Sequence, residues 1–179
     1  MNTINIDPNQ PKKKYLFYRI LGFVNNFVAV FFLFVTLMSF AAAGFQSSIL
    51  LYLFIFLAIL IYTNLTTVFA RHVMVKGNHM RNKLKDWIRV NAIVALLFGG
   101  FMIISILYVL LDQTFVQRVV DFYSGMEGVT EDMIQQMIPT VKAIIVGFGV
   151  CMLVLIVHVF MTFRYLRQFK DYFKDGVRR

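Results

Sequence analysis

The chain has 179 residues, of which 59% are apolar and only 15% charged, and its 18 Lys+Arg against 9 Asp+Glu give a formal charge of +9. Soluble domains run nearer a quarter charged, and one core could not hide the long uncharged stretches of this chain while showing water a polar surface. A water-soluble fold is excluded, and the composition is that of an integral membrane protein.

Lys12, Lys13, Lys14 and Arg19 lead into a stretch of 51 residues, ending at Arg71, that holds no charge at all. Crossing a hydrocarbon core of about 30 Å takes roughly 20 helical residues, so this gap holds two spans. Ala43-Gly44-Phe45-Gln46-Ser47-Ser48 divides them, with a glycine suited to a helix C′ position and a serine suited to the next N-cap. Charge-free gaps of 22 residues before Asp112 and 21 before Arg164 hold one span each. The spans are placed near 18–42, 48–70, 89–111 and 141–163. None alternates with period two, so they read as helices and not as barrel strands. Ala41-Ala42-Ala43 has the form of a signal-peptidase site, but the apolar run before it exceeds the roughly 7–15 residues of a signal segment, and the first span is read as retained.

The basic residues set the expected orientation. Four fall in residues 1–19, six in the 71–89 connection and six in the tail 164–179, whereas the 112–140 connection is acidic. Lysine and arginine resist translocation, so both termini are expected in the cytoplasm. Tyr15, Tyr18, Trp87, Tyr165 and Tyr172 are read as an inner aromatic belt.

Within 112–140, Val116, Val119, Val120 and Tyr123 have the spacing of one helical face, and a second short helix is expected from Thr130 to Ile138, with Pro139 opening the fourth span. In the tail, Leu166, Phe169, Tyr172 and Phe173 can share a face flanked by cations, as in a helix lying on an anionic inner leaflet. The fold class is thus all-α: an integral membrane four-helix bundle forming a single domain, both termini inside, with short amphipathic helices in the outer 3–4 loop and the C-terminal tail. Ala95-x-x-x-Gly99 with Gly100, and Ala143-x-x-x-Gly147, have the small-residue spacing that lets membrane helices approach closely.

Asn25, Asn26, Asn64, Asn91 and His158 form an expected intramembrane polar layer, about 10 Å or less from the inner boundary. Amides and imidazoles facing hydrocarbon are costly, so these groups should turn inward and bond across helices. Thr63, Thr66 and Thr67 can add hydroxyls. The layer reads as interhelical glue, or as a shallow cavity rimmed by Arg71, Arg81, Arg89 and Arg164 that holds an anionic group such as a lipid head.

The motifs exclude more than they assign. Cys151 is the sole cysteine, which rules out an intrachain disulfide or a CxxC pair. One histidine at membrane depth does not make a bis-histidine haem site, and no metal or cofactor is expected. The spans contain no Asp or Glu of the kind proton-coupled carriers use, and no catalytic motif appears. The expected function is therefore non-catalytic: an accessory or scaffolding protein of the cytoplasmic (inner) membrane that binds a membrane-protein partner or anionic lipid. The alternative is a channel or facilitator acting as a homo-oligomer. The cations lie on the inner-leaflet side, so nucleic acid is not an expected partner. A reporter fused after Arg179 is expected on the cytoplasmic side and cysteines substituted within 112–140 on the outside; the reverse labelling pattern overturns the orientation.

Overall fold

The computed structural model describes residues 15–43, 47–112, 114–124 and 130–174. Its long elements are all helices: α1 (Leu16–Ala43), α2 (Ser47–Phe69), α3 (Asn82–Leu111), α4 (Phe115–Ser124) and α5 (Glu131–Gln168). Four of these are long and apolar enough to cross a membrane, over Leu16–Ala42, Ile49–Val75, Asn82–Leu111 and Asp132–Gln168. Large apolar side chains stay on the outside, among them Phe23, Phe27, Leu97, Phe101 and Leu111. A soluble monomer rarely carries such continuous patches; here they are the surface that lipid solvates.

The described chain divides into two compact units, the first drawn from residues up to Phe98 and from Val154 onward, the second from Gly99 to Leu153. In the first unit Phe32 of α1 stacks on Phe56 of α2 at 5.5 Å, and Phe98 of α3 meets Phe56 edge-on at 5.7 Å. Ala29, Ala58, Ala92 and Ala95 are buried between these rings and the polar layer, where small side chains bring helix backbones together.

The expected 71–89 connection is much shorter in the structure. The second span continues as a π-helical segment, Ala70–Val75, which buries Ala70, Val73 and Met74 and leaves Arg71 exposed. Gly77 ends it with φ at 67°, a left-handed conformation that L side chains rarely adopt, while its N–H donates to the Val73 carbonyl at 3.0 Å. A two-residue strand β1 (Met80–Arg81) follows, and α3 starts at Asn82. Charge counting misplaces this boundary because cations on a helix end can reach an aqueous interface without interrupting the helix.

The tail departs from the expected amphipathic helix on a leaflet. After Gln168 the chain makes one 3₁₀ turn, Lys170–Tyr172, and a short strand β2 (Phe173–Lys174) that pairs in parallel with β1, Met80 opposite Phe173 and Arg81 opposite Lys174. Phe173 stacks on Phe69 at 5.7 Å, Phe169 meets the same ring at 6.2 Å, and Lys85 Nζ lies 5.7 Å from the Phe173 centroid. Leu166, Phe169 and Phe173 are buried in the protein itself, so their face is not available to lipid. Residues 175–179 lie outside the described residues.

In the second unit, Asp112 Oδ1 accepts from the Thr114 N–H at 2.9 Å at the entry to α4, and Asp112 also pairs with Arg118. On α4, Val116, Val119, Val120 and Tyr123 are half-buried, whereas Gln117, Arg118 and Asp121 are exposed. Thr130 Oγ1 accepts from the Met133 N–H at 3.4 Å and caps α5, with Glu131 and Asp132 in its first turn. No separate short helix precedes the fourth span, because α5 runs unbroken through Pro139. Proline removes the N–H that would bond the Gln135 carbonyl, a loss that long membrane helices absorb by local adjustment. Gly149 packs on Ile106, but a Cβ on Gly100 or Gly147 would meet nothing within 4 Å, so these two make no close intrachain helix contact.

Phe69→Ala is expected to lower stability by about 3 kcal/mol, the range for emptying a buried aromatic site. Thermal unfolding in detergent measures this, and an unchanged midpoint would show that the tail is not held by that ring.

Candidate functional site

The polar residues of the first unit form two connected layers. The inner one joins three helices. Thr162 Oγ1 on α5 donates to the His158 carbonyl one turn earlier at 2.8 Å, and the hydroxyls of Tyr62 on α2 and Tyr18 on α1 lie 2.8 and 3.0 Å from the same oxygen. Tyr62 also bonds His158 Nδ1 at 3.0 Å. The Tyr18 ring stacks on the imidazole at 4.6 Å, and all four side chains are essentially inaccessible. Gly22 makes this possible: a Cβ there would stand 3.2 Å from His158 Nε2, so a bare α-carbon lets α1 cover the imidazole.

The second layer is a cavity of about 420 Å³ between α1 and α2, with His158 among its lining residues. Arg19 and Asn26 on α1, Asn64 on α2 and Arg71 on the π-helical segment that continues α2 line it. Each pair is seven residues apart, two helical turns, and the chain order is reversed between the two helices. Both arginines therefore lie toward one end of the cavity and both amides toward the other. Thr66 and Thr67 lie between Asn64 and Arg71, while Leu16, Ile20 and Phe23 supply an apolar wall that is exposed on its outer side. Among the described residues no Asp or Glu lines the cavity.

The expected residues divide between these layers. Asn26, Asn64, His158 and Arg71 come together at the cavity. Asn26 Nδ2 donates across helices to Thr63 Oγ1 at 3.1 Å, but Asn64 donates to the Leu60 carbonyl and Asn91 to the Trp87 carbonyl, both at 2.8 Å and both within their own helices. Asn25 is buried, and its Nδ2 has no hydrogen-bond partner. The amides thus form fewer cross-helix bonds than the layer reading expects, because a carbonyl four residues back satisfies an asparagine without a second helix. Of the four expected rim arginines only Arg71 lines the cavity. Arg81 sits in β1 opposite Lys174, Arg89 lies 3.9 Å from Asp86 on the exposed face of α3, and Arg164 is exposed on α5.

Arg19, Tyr18, Tyr62 and Thr162 are the residues that sequence reasoning missed. Tyr18 is 1% exposed and belongs to the buried network, not to an interfacial belt, whereas Trp87 is 59% exposed. The recoverable signal was the seven-residue step shared by Arg19–Asn26 and Asn64–Arg71. Among the described residues no three His, Cys, Asp or Glu side chains come together to hold a metal ion. Compared with protein-family models, curated proteins and solved structures, the chain matches none.

Thr162→Val preserves shape but leaves two buried tyrosine hydroxyls without their acceptor, and is expected to destabilise by about 2 kcal/mol. Asn64→Leu, on an exposed face and bonded only to its own helix, is expected to change stability by less than about 0.5 kcal/mol. Equal shifts in detergent melting for the two variants would refute the placement of the network.

Proposed function

We propose that this chain is a non-catalytic, multi-pass accessory protein of the cytoplasmic membrane, with both termini inside, that holds the head of an anionic lipid in the cavity between α1 and α2. The observation that carries this reading is the pair of guanidinium side chains, Arg19 and Arg71, at a cavity that no carboxylate among the described residues lines. Guanidinium groups bind phosphate oxygens through charge-assisted, often bidentate, hydrogen bonds. The distribution of basic residues supports the same side of the membrane, because an inner leaflet rich in anionic lipid attracts them by about 1 kcal/mol per cation near its surface.

The exposed wall of Leu16, Ile20 and Phe23 supports a lipid over a small soluble anion, since it runs along α1 into the apolar surface of the span. Held there, a lipid bridges the two helices that supply the arginines and stabilises their packing by mass action. In an accessory role, such a lipid-stabilised bundle presents its exposed helix faces to a membrane partner.

Phosphatidylglycerol added to the detergent-solubilised protein is expected to raise its melting temperature, whereas phosphatidylcholine with the same chains should not. Saturation at about a hundred times Kd corresponds to roughly 2.7 kcal/mol. The variant Arg19→Gln/Arg71→Gln is expected to lose the effect. Equal stabilisation by both lipids, or full stabilisation of the double variant, refutes the reading.

A further inference from the structure

The protons of the cavity can be counted, and the count specifies the ligand more narrowly than its charge does. A threonine hydroxyl has one proton, and each one near the cavity is already committed. Thr66 and Thr67 both donate to the Thr63 carbonyl, at 2.9 and 2.8 Å, and Thr63 donates to the Leu60 carbonyl at 3.0 Å. Since Thr63 has no proton left, Asn26 must donate to it through Nδ2, which leaves the Asn26 Oδ1 as an acceptor. Asn64 likewise donates to the Leu60 carbonyl, and each of the two amides keeps its Oδ1 to accept and a second Nδ2–H to donate.

The buried network gives the same result for His158. The Thr162 proton goes to the His158 carbonyl, so Tyr62 must donate to Thr162, and the bond between Tyr62 and His158 must then use a proton on Nδ1. Neutral imidazole has one N–H, which leaves Nε2 as a bare lone pair. That atom is buried without a hydrogen-bond partner among the described residues, and a Cβ on Gly22 would stand 3.2 Å from it.

The cavity is therefore polarised. Its arginine end offers only donors, and its other end offers the oxygen lone pairs of Thr66, Thr67, Asn26 and Asn64 together with the second N–H of each amide, a mixture matched by a hydroxyl, which both donates and accepts. Resting on the lipid-binding reading above, we infer that the site selects an anionic phospholipid whose head carries free hydroxyl groups beyond the phosphate. The phosphate meets Arg19 and Arg71, and the hydroxyls donate to the threonine and asparagine oxygens. An ammonium head would also donate, but it would add positive charge to a cavity that already holds two guanidiniums and that no carboxylate among the described residues lines. A hydroxylated head such as phosphoglycerol satisfies both ends.

The test compares phosphatidylglycerol with phosphatidylmethanol of identical chains. Both heads carry one negative charge, and only the first has hydroxyls. Binding of each to the detergent-solubilised full chain is measured by native mass spectrometry, with phosphatidylcholine as the zwitterionic, net-neutral reference. The wild type is expected to bind phosphatidylglycerol about fivefold more tightly than phosphatidylmethanol, in the range of one or two net hydrogen bonds. In Thr66→Val/Thr67→Val that difference is expected to shrink at least by half, while the preference of both anionic lipids over phosphatidylcholine persists.

Equal affinity of the wild type for the two anionic lipids overturns the hydroxyl inference and leaves the anionic-lipid reading standing. No preference of either over phosphatidylcholine overturns both. An unchanged fivefold difference in the valine variant, shown folded by its melting transition, overturns the assignment to these threonines. Displacement of the lipid by an equal concentration of glycerol 3-phosphate overturns the lipid source in favour of a soluble phosphate ester.

Discussion

The Thr162 hydroxyl is where three helices of this protein are tied together. It gives its proton to its own helix and receives one from Tyr18 and one from Tyr62, so one side chain on α5 joins α1 and α2. In a membrane the helices gain little from hiding apolar surface, since lipid tails are as apolar as leucine. What distinguishes one packing from another is the placement of groups that cannot be left facing hydrocarbon. A hydroxyl triad closed on an imidazole meets that constraint and makes the arrangement of three helices specific.

The cavity follows from the same constraint. With the threonine protons of α2 committed to the helix backbone, and the imidazole proton held on Nδ1 by Tyr62, the α1–α2 interface is left with threonine and asparagine lone pairs and the remaining amide N–H groups on one side and two guanidiniums on the other. The polarity of the site is a by-product of how each helix satisfies its own backbone. Gly22 serves the same packing: lacking a side chain, it admits the imidazole against α1.

At the end of α2 the π-helical segment and the tail act on the same residues. The wider π turn carries Arg71 to the cavity while burying Ala70, Val73 and Met74, and single turns of this kind are frequent at functional sites. Phe69, just before it, is held by Phe169 and Phe173, and the β1–β2 pairing fixes those residues against the 76–81 connection. The tail thus braces the helix end that presents the arginine.

The linear sequence was sufficient for the membrane class, the four apolar helices and the neighbourhood of the polar residues, because charge-free length and one-dimensional spacing are properties of the chain alone. It also held the Arg19–Asn26 and Asn64–Arg71 repeat. Only the tertiary structure decided that Asn64 and Asn91 bond their own helices, that Tyr18 leaves the interface for the interior, and that Arg81, Arg89 and Arg164 stay apart from Arg71. The physical reason is that a hydrogen-bonding group in lipid has several ways to be satisfied, by its own backbone, by a neighbouring helix or by an aqueous edge. Which one it takes depends on the rotation of each helix about its axis, and that rotation is set by contacts such as Gly22 on His158 and Phe173 on Phe69, between residues more than a hundred positions apart in the chain.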